Sequence, residues 1–160
     1  MKTEHSATPI CDLVEDGIFR RGDEFECIHQ EMVGKAALDA AFKVHSILGP
    51  GLLESVYEAA LWRELTKRGH QVERQRSIPV FYDGELVVEI GFRADLIIDG
   101  LVLIELKSVS EITDAFKKIT RNYLRLIPLQ LGFLINFNEA HLKNGIIRVV
   151  NGTEGKPFFS

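Results

Sequence analysis

Three charged residues lie in two of the most apolar stretches of the sequence, within the segment RADLIIDGLVLIELKSV. They are Asp95, Glu105 and Lys107. A charge that is buried without a partner costs on the order of several kcal/mol. Glu105 and Lys107 are two residues apart, so a β-strand would place both on one face of a sheet. We therefore expect the three side chains to form one site in which each charge is compensated.

The turn between the two stretches decides whether Asp95 reaches that face. Asp99-Gly100 is a strong hairpin signal. A two-residue turn at this point would set Asp95 opposite Ile104 and would separate the two carboxylates by face. A three-residue loop, or one bulge, would set Asp95 opposite Glu105. Because the charges need partners, we predict the odd-length loop.

Opposed carboxylates at these positions predict a metal site. Side chains at directly opposed positions lie within about 5 Å at Cβ, and like charges placed in this way repel each other. A divalent cation relieves the repulsion, and Mg²⁺ prefers one or two carboxylates together with waters and phosphate oxygens. Asp95 and Glu105 would be the ligands, with Mn²⁺ as a substitute metal. Lys107 would orient an attacking water or stabilise the charge that develops on a phosphate.

A simpler interpretation of the same residues needs no metal. Asp95 and Lys107 would form an ion pair on the solvated face of the sheet, and Glu105 would contact another cation such as Arg93. Spacings of this kind often arise by chance. The residue types alone therefore favour neither interpretation.

A further carboxylate, Glu54, lies in the first turn of a predicted helix in the segment GLLESVYEAAL, with Tyr57 one turn later. An acidic residue at this position meets the positive end of the helix dipole, which is worth about 0.3 to 1 kcal/mol. Glu54 is therefore either a helix-stabilising residue or a member of the site.

The elements that must position these residues follow from apolar periodicity. Apolar residues spaced three and four apart predict helices at 35–48 and 52–69. Asp83-Gly84 and Asp99-Gly100 divide the next segment into three strands, around 77–82, 86–98 and 101–108, which predicts an antiparallel meander.

A crossover helix over 114–127 is predicted next, with Phe116, Ile119, Tyr123 and Ile127 on its apolar stripe. The following strand, at 130–136, is apolar enough to be buried on both faces. A last strand, GIIRVVN, completes the domain. The pattern predicts an α/β fold in which a central mixed sheet of four to five strands is flanked by helices.

Length and composition limit the class of protein. The chain of 160 residues suits one domain, and we predict that residues 1–30 form a flexible or loosely docked extension of a domain at 31–160. The net charge of −4 makes any phosphate binding local. Without a signal peptide or a segment of about 18 apolar residues, we predict a cytoplasmic protein with no membrane partner. Cys11 and Cys27 lack a CxxC or Cys/His pattern and are predicted to be reduced thiols.

Three segments together carry a family resemblance: GPGLLESVYEAAL, the RADLII…LIELK hairpin and NYLRL…LGFLINF. They resemble the GxxExxY family, which looks like a branch of the PD-(D/E)xK nuclease superfamily, over roughly residues 32–151. The resemblance implies a restriction-endonuclease-like core and Mg²⁺-dependent phosphodiester hydrolysis. Gly51, Glu54 and Tyr57 match the three positions of the family name, whereas Asp95, Glu105 and Lys107 match the catalytic signature of the superfamily.

The resemblance also implies roles for the residues of the site. Asp95 and Glu105 would be metal ligands, and the Leu106 carbonyl would be another. Lys107 would assist the attacking water, and Glu54 would complete the site from its helix. Tyr57 and Tyr123 would support it.

One position departs from the family pattern. Members of the family usually carry glutamine four residues before the tyrosine of the helix that follows the hairpin, and here Ile119 precedes Tyr123 at that spacing. An apolar side chain cannot bond to phosphate or water as an amide does. The departure supports an alternative function, a nucleic-acid or protein binding module with weak or no catalysis that retains the nuclease fold.

Basic residues recur on the same predicted helix at Lys117, Lys118, Arg121 and Arg125. Like charges four residues apart destabilise a helix by a few tenths of a kcal/mol, roughly, which an anionic partner would offset. The residues are either a solvated face or a surface that positions a nucleic-acid backbone, with DNA as the expected partner. A third hypothesis is an assembly role, in which the apolar elements form a homo-oligomer interface.

Overall fold

The computed structural model describes residues 21–151. Three α-helices, five β-strands and one 3-10 helix form this part of the chain. In chain order they are α1 (Arg21–Leu48), α2 (Glu54–Lys67), β1 (Val72–Tyr82), β2 (Glu85–Ile98), β3 (Val102–Lys107), α3 (Asp114–Leu126), β4 (Leu131–Asn136), the 3-10 helix (Leu142–Gly145) and β5 (Ile146–Val150).

The five strands form one mixed sheet with the spatial order β1-β2-β3-β4-β5. β1, β2 and β3 pair antiparallel as a meander, β4 lies parallel to β3, and β5 returns antiparallel to β4. The connection from β3 to β4 passes through α3, since a parallel pair needs a crossover. All six residues of β4 are buried. The predicted mixed sheet, its meander and its buried crossover strand are confirmed.

Helices cover both faces of the sheet. One core cluster joins α1 and α2, through residues such as Ala37 and Leu61, to β-residues that include Leu96 and Ile104. A second cluster joins Leu124 of α3 to other residues of the same sheet. The sheet therefore packs against α1 and α2 through one cluster and against α3 through the other.

The helices depart from the sequence expectations in two ways. α1 begins at Arg21, fourteen residues before the predicted start. The early part of α1 has no sustained apolar stripe, so apolar periodicity did not reveal it, although this part buries Cys27 and Gln30. Gln30 donates to the Leu101 carbonyl at 3.0 Å.

On α3, Ile119 is 40% exposed and the buried positions are Thr120 and Leu124, so the predicted stripe was wrong at Ile119.

Cys27 is disulfide-bonded, so the expectation of a reduced thiol at this position was wrong. Cys11 and the rest of 1–20 lie outside the described residues, and the proposed division at residue 30 stays a prediction. No helix among residues 21–151 combines the length and the apolar character needed to cross a membrane.

The outer part of the β1–β2 ribbon carries exposed apolar side chains. β2 pairs with β3 only over Leu96–Ile98, whereas it pairs with β1 along most of its length. Every residue from 81 to 91 is exposed, including Phe81, Tyr82 and Ile90. The homo-oligomer hypothesis stays a prediction.

Candidate functional site

The hairpin between β2 and β3 has the register that the charged residues require. Leu96 pairs with Ile104, and Ile98 pairs with Val102. The loop therefore has three residues, and it begins with Asp99 and Gly100 at φ +52° and +68°. One step further along this register, Asp95 lies opposite Glu105, and the Asp95 N–H donates to Glu105 Oε1 at 3.3 Å. The predicted odd-length loop is confirmed.

The Asp95 carboxylate is held through both of its oxygens. The Leu106 N–H donates to Oδ2 at 2.8 Å, and the Gln75 amide donates to Oδ1 at 3.1 Å. Burial raises the pKa of Asp95, although these bonds and the Lys107 charge oppose the increase. The charged form of Asp95 thus needs more positive charge than the surrounding residues supply.

Glu105 is the most perturbed carboxyl of the site. The residue is buried, with 4% of its surface exposed. Burial, followed by the charge of Asp95, raises the pKa of Glu105 to about 8, although the Lys107 charge and the bond from the Asp95 N–H oppose the increase. Two neighbouring carboxyls with raised pKa values are an arrangement that a divalent cation would stabilise.

Lys107 connects the hairpin to the two helices. Its Nζ donates to the Leu106 carbonyl at 2.7 Å and lies 3.6 Å from Glu54 Oε1. The same nitrogen lies 5.6 Å from the centre of the Phe116 ring in α3. Within residues 21–151 the ion pair of Lys107 is with Glu54 and not with Asp95, and Glu105 has none with Arg93. The interpretation as a simple surface ion pair was wrong.

Glu54 reaches the site from the first turn of α2. Its Oε2 accepts from the Ser108 N–H at 3.4 Å, just beyond the end of β3. Ser108 also donates its hydroxyl to the Leu52 carbonyl at 2.6 Å, which fixes the loop before α2 to the segment after β3. Glu54 thus occupies both a helix N-terminus and the candidate site.

Tyr57 fixes the loop that carries Glu54. Its ring is fully buried and stacks on Phe137, with ring centres 4.5 Å apart. Its hydroxyl donates to the Gly49 carbonyl at 2.6 Å and accepts from the Leu52 N–H at 3.1 Å. The loop turns through Gly49 and Gly51 at φ +69° and +91°, a backbone region that favours glycine.

Replacing Tyr57 with phenylalanine is expected to lower the free energy of unfolding by about 1 to 3 kcal/mol, because a carbonyl and an N–H would lose their partner. Urea unfolding measures the change. Tyr82→Phe is the control, since Tyr82 is 74% exposed at the hairpin turn and should change stability by less than about 0.5 kcal/mol. A Tyr57→Phe value as small as the control value would show that the hydroxyl does not hold the loop.

α3 supplies Tyr123 and the basic residues. Burial raises the pKa of Tyr123 to about 12, followed by the charges of Glu105 and Asp95, so this hydroxyl lies near the carboxylates. Ile119 points partly to solvent, and Thr120 donates its hydroxyl to the Phe116 carbonyl at 2.9 Å. The helix therefore offers a phenol to the site.

The four basic residues of α3 differ in their exposure to solvent. Lys118 and Arg121 are exposed, and Lys117 and Arg125 are half-buried. Lys117 pairs with Asp114 at 3.0 Å. Lys107 contacts the ring of Phe116, so the first turn of α3 lies beside the site. Of the four basic residues, Lys117 is the one that follows Phe116 directly in the sequence.

Three polar residues near the site, Glu58, Gln75 and Asn136, had not been predicted. Glu58, one turn after Glu54, is 8% exposed and bonds to Arg74 and Gln75. Asn136 is fully buried and bonds to both the N–H and the carbonyl of Val109. A glutamate on the apolar side of a helix and an asparagine at the end of an apolar strand are the signals that could have identified two of them.

Protein side chains alone do not complete a metal shell. In the described part of the chain, no group of three or more His, Cys, Asp or Glu side chains is arranged to hold a metal ion. Asp95 and Glu105 supply two carboxylates, and the Leu106 carbonyl, which accepts from Lys107, is a further oxygen. This set fits Mg²⁺, which keeps several waters when it binds.

Comparison with known proteins assigns the fold. A family model of the PD-(D/E)XK nuclease superfamily matches residues 31–149. No curated protein and no solved structure gave a match. The matched range includes Glu54, Asp95, Glu105 and Lys107, and it covers more than two thirds of the chain. The narrower resemblance to the GxxExxY family stays a prediction. With its five-stranded mixed sheet flanked by helices, the chain belongs to the PD-(D/E)XK nuclease superfamily.

Proposed function

We propose that the protein hydrolyses phosphodiester bonds in DNA and depends on Mg²⁺, for which Mn²⁺ can substitute. The observation that carries the proposal is a pair of neighbouring carboxyls with raised pKa values, the partly buried Asp95 and the buried Glu105, next to Lys107 in the same hairpin. Perturbed titratable groups of this kind are more frequent at functional sites than elsewhere.

Asp95, Glu105 and the Leu106 carbonyl would hold the metal. When bound, Mg²⁺ supplies positive charge to the phosphate and makes a bound water more acidic. The two carboxylates suit this ion because their mutual repulsion is unfavourable in its absence. The Leu106 carbonyl has a second lone pair beside the one that accepts from Lys107, so it can serve both partners.

Lys107 would act on the reacting phosphate. Its ammonium group is held on one side by the Leu106 carbonyl and on another by the Glu54 carboxylate. A cation fixed in advance at this position stabilises the negative charge that develops on phosphate oxygens, without reorganisation during the reaction. Glu54 would orient the Lys107 side chain, whose Nζ lies 3.6 Å from Glu54 Oε1.

The basic residues of α3 would hold the nucleic-acid backbone. The exposed Lys118 and Arg121 and the half-buried Lys117 and Arg125 place four cations on one helix of a chain whose formal net charge is −4. Binding through such residues releases counterions, so it should weaken strongly as salt increases.

Lys107→Ala tests the proposal most directly. The wild type is expected to cleave DNA only with Mg²⁺ or Mn²⁺, and the variant should be slower by a factor on the order of a hundred or more. The substrates are single strands, linear duplexes, circles and junctions. Lys143→Ala, at an exposed lysine of the 3-10 helix, is the matched control and should keep wild-type activity. Cleavage shared equally by Lys107→Ala would indicate a contaminating nuclease and would remove the proposal.

A binding module without catalysis is the second candidate. It is favoured by Ile119, which offers no amide to the site. DNA binding that is salt-dependent and persists without any metal-dependent cleavage of the four substrates would select this candidate over the first.

A further inference from the structure

Gln75 has a backbone conformation that is unusual for a residue of a β-strand. It lies between two regular pairs, Arg74 with Leu96 and Arg76 with Ala94, so the register places it opposite Asp95. Its φ of +49° lies in the left-handed region. A non-glycine residue in this region costs roughly 1 to 2 kcal/mol, and such strain persists only where the surrounding structure requires it.

The side chain of Gln75 links two carboxylates. Its amide nitrogen donates to Glu58 Oε2 at 2.7 Å and to Asp95 Oδ1 at 3.1 Å. An amide NH₂ group has two donors, and both are used here. Glu58 is also fixed by Arg74, whose Nε donates to Oε1 at 3.0 Å.

This link completes the restraint of Asp95. One carboxylate oxygen accepts from the Leu106 N–H and the other from Gln75, so the two bonds together select one orientation of the group. Without the amide, Asp95 would keep only the first bond and would face the negative charge of Glu58 directly. A neutral donor between two carboxylates satisfies both of them without adding charge.

We propose that Gln75 is a positioning residue of the metal site, which fixes the Asp95 carboxylate for metal binding and separates it from Glu58. The inference rests on the proposed metal-dependent function and extends it to a residue of β1. Partners that orient a ligand usually contribute a factor of about 10 to 100 to metal affinity.

The test compares Mn²⁺ affinity, measured by titration calorimetry, in the full chain and in three variants. Gln75→Gly removes the amide and relieves the strain of the positive φ. Gln75→Ala removes the amide and keeps the strain. Gln71→Ala is the matched control, because Gln71 is an exposed glutamine just before β1. Thermal unfolding without metal is measured for each protein.

Both Gln75 variants are expected to bind Mn²⁺ about tenfold or more weakly, although their melting temperatures should differ, and Gln71→Ala should bind as the wild type does. Equal affinity in the wild type and Gln75→Gly would overturn the inference and leave the proposed function intact. An affinity that follows the melting temperature across the variants would also overturn it, since the role would then be structural. If the wild type itself binds no Mn²⁺, the proposed function fails and the inference fails with it.

Discussion

Glu54→Gln is expected to lower metal-dependent cleavage by a factor on the order of a hundred or more, and to change the free energy of unfolding by less than about 1 kcal/mol. The amide can still accept from the Ser108 N–H, but it has no charge to hold the Lys107 ammonium, which now lies 3.6 Å from Glu54 Oε1. Loss of the carboxylate also relieves repulsion with Glu105, which can raise stability. Single-turnover cleavage and urea unfolding measure the two quantities.

Glu64→Gln is the matched control for Glu54→Gln. Glu64 lies on the same helix and pairs with Lys43 at 2.9 Å and with Arg68 at 2.8 Å, away from the hairpin. Its loss should cost up to about 1 kcal/mol of stability and leave cleavage unchanged. If Glu54→Gln behaves in the same way, Glu54 only stabilises its helix and has no part in the reaction.

Glu105→Gln is expected to remove most of the pH dependence of stability in the metal-free protein. The pKa of Glu105 rises from 4.5 to about 8 on folding. Between these values the folded state binds more protons than the unfolded state, so stability is present at low pH and falls as the pH rises through this window. The wild type should lose a few kcal/mol, roughly, between pH 5 and pH 9. A neutral amide has no proton to lose, so the variant should be the more stable protein at pH 9.

Mg²⁺ should restore the stability that the wild type loses at high pH, because a cation compensates the charge of Glu105. It should have little effect on Glu105→Gln. Urea unfolding at pH 5 and pH 9, with a chelator and then with excess Mg²⁺, measures both effects. Glu85→Gln, at an exposed glutamate beside the hairpin turn, should follow the wild-type profile. Identical pH profiles for the wild type and Glu105→Gln would mean that Glu105 does not hold its proton on folding.

The sequence alone was enough to predict the central hairpin. Asp99-Gly100 located the turn, and the cost of burying unpaired charge selected the loop length that sets Asp95 opposite Glu105. Both signals are local, since the hairpin from Asp95 to Lys107 is one continuous segment of the chain. The buried crossover strand could also be predicted, because an uninterrupted apolar run leaves few alternatives.

Helix faces were harder to predict than strand registers. Ile119 and Thr120 are neighbours on α3, and spacing placed Ile119 inside, whereas the structure buries Thr120 and exposes Ile119. A periodic pattern identifies a helix, but the rotation of that helix on the sheet depends on the side chains it meets. Thr120 can be buried because its hydroxyl bonds to the Phe116 carbonyl.

Only the tertiary structure decided which polar groups meet at the site. Glu54 and Lys107 are separated by two strands in the sequence, yet their charged atoms lie 3.6 Å apart. Glu58 and Gln75 come from α2 and β1 and converge on Asp95 through one amide. The sequence determined that Asp95, Glu105 and Lys107 need partners, because their burial could be predicted from the apolar residues around them. It could not determine which partners they have, because a hydrogen bond depends on distances that only the packing of helices against the sheet sets.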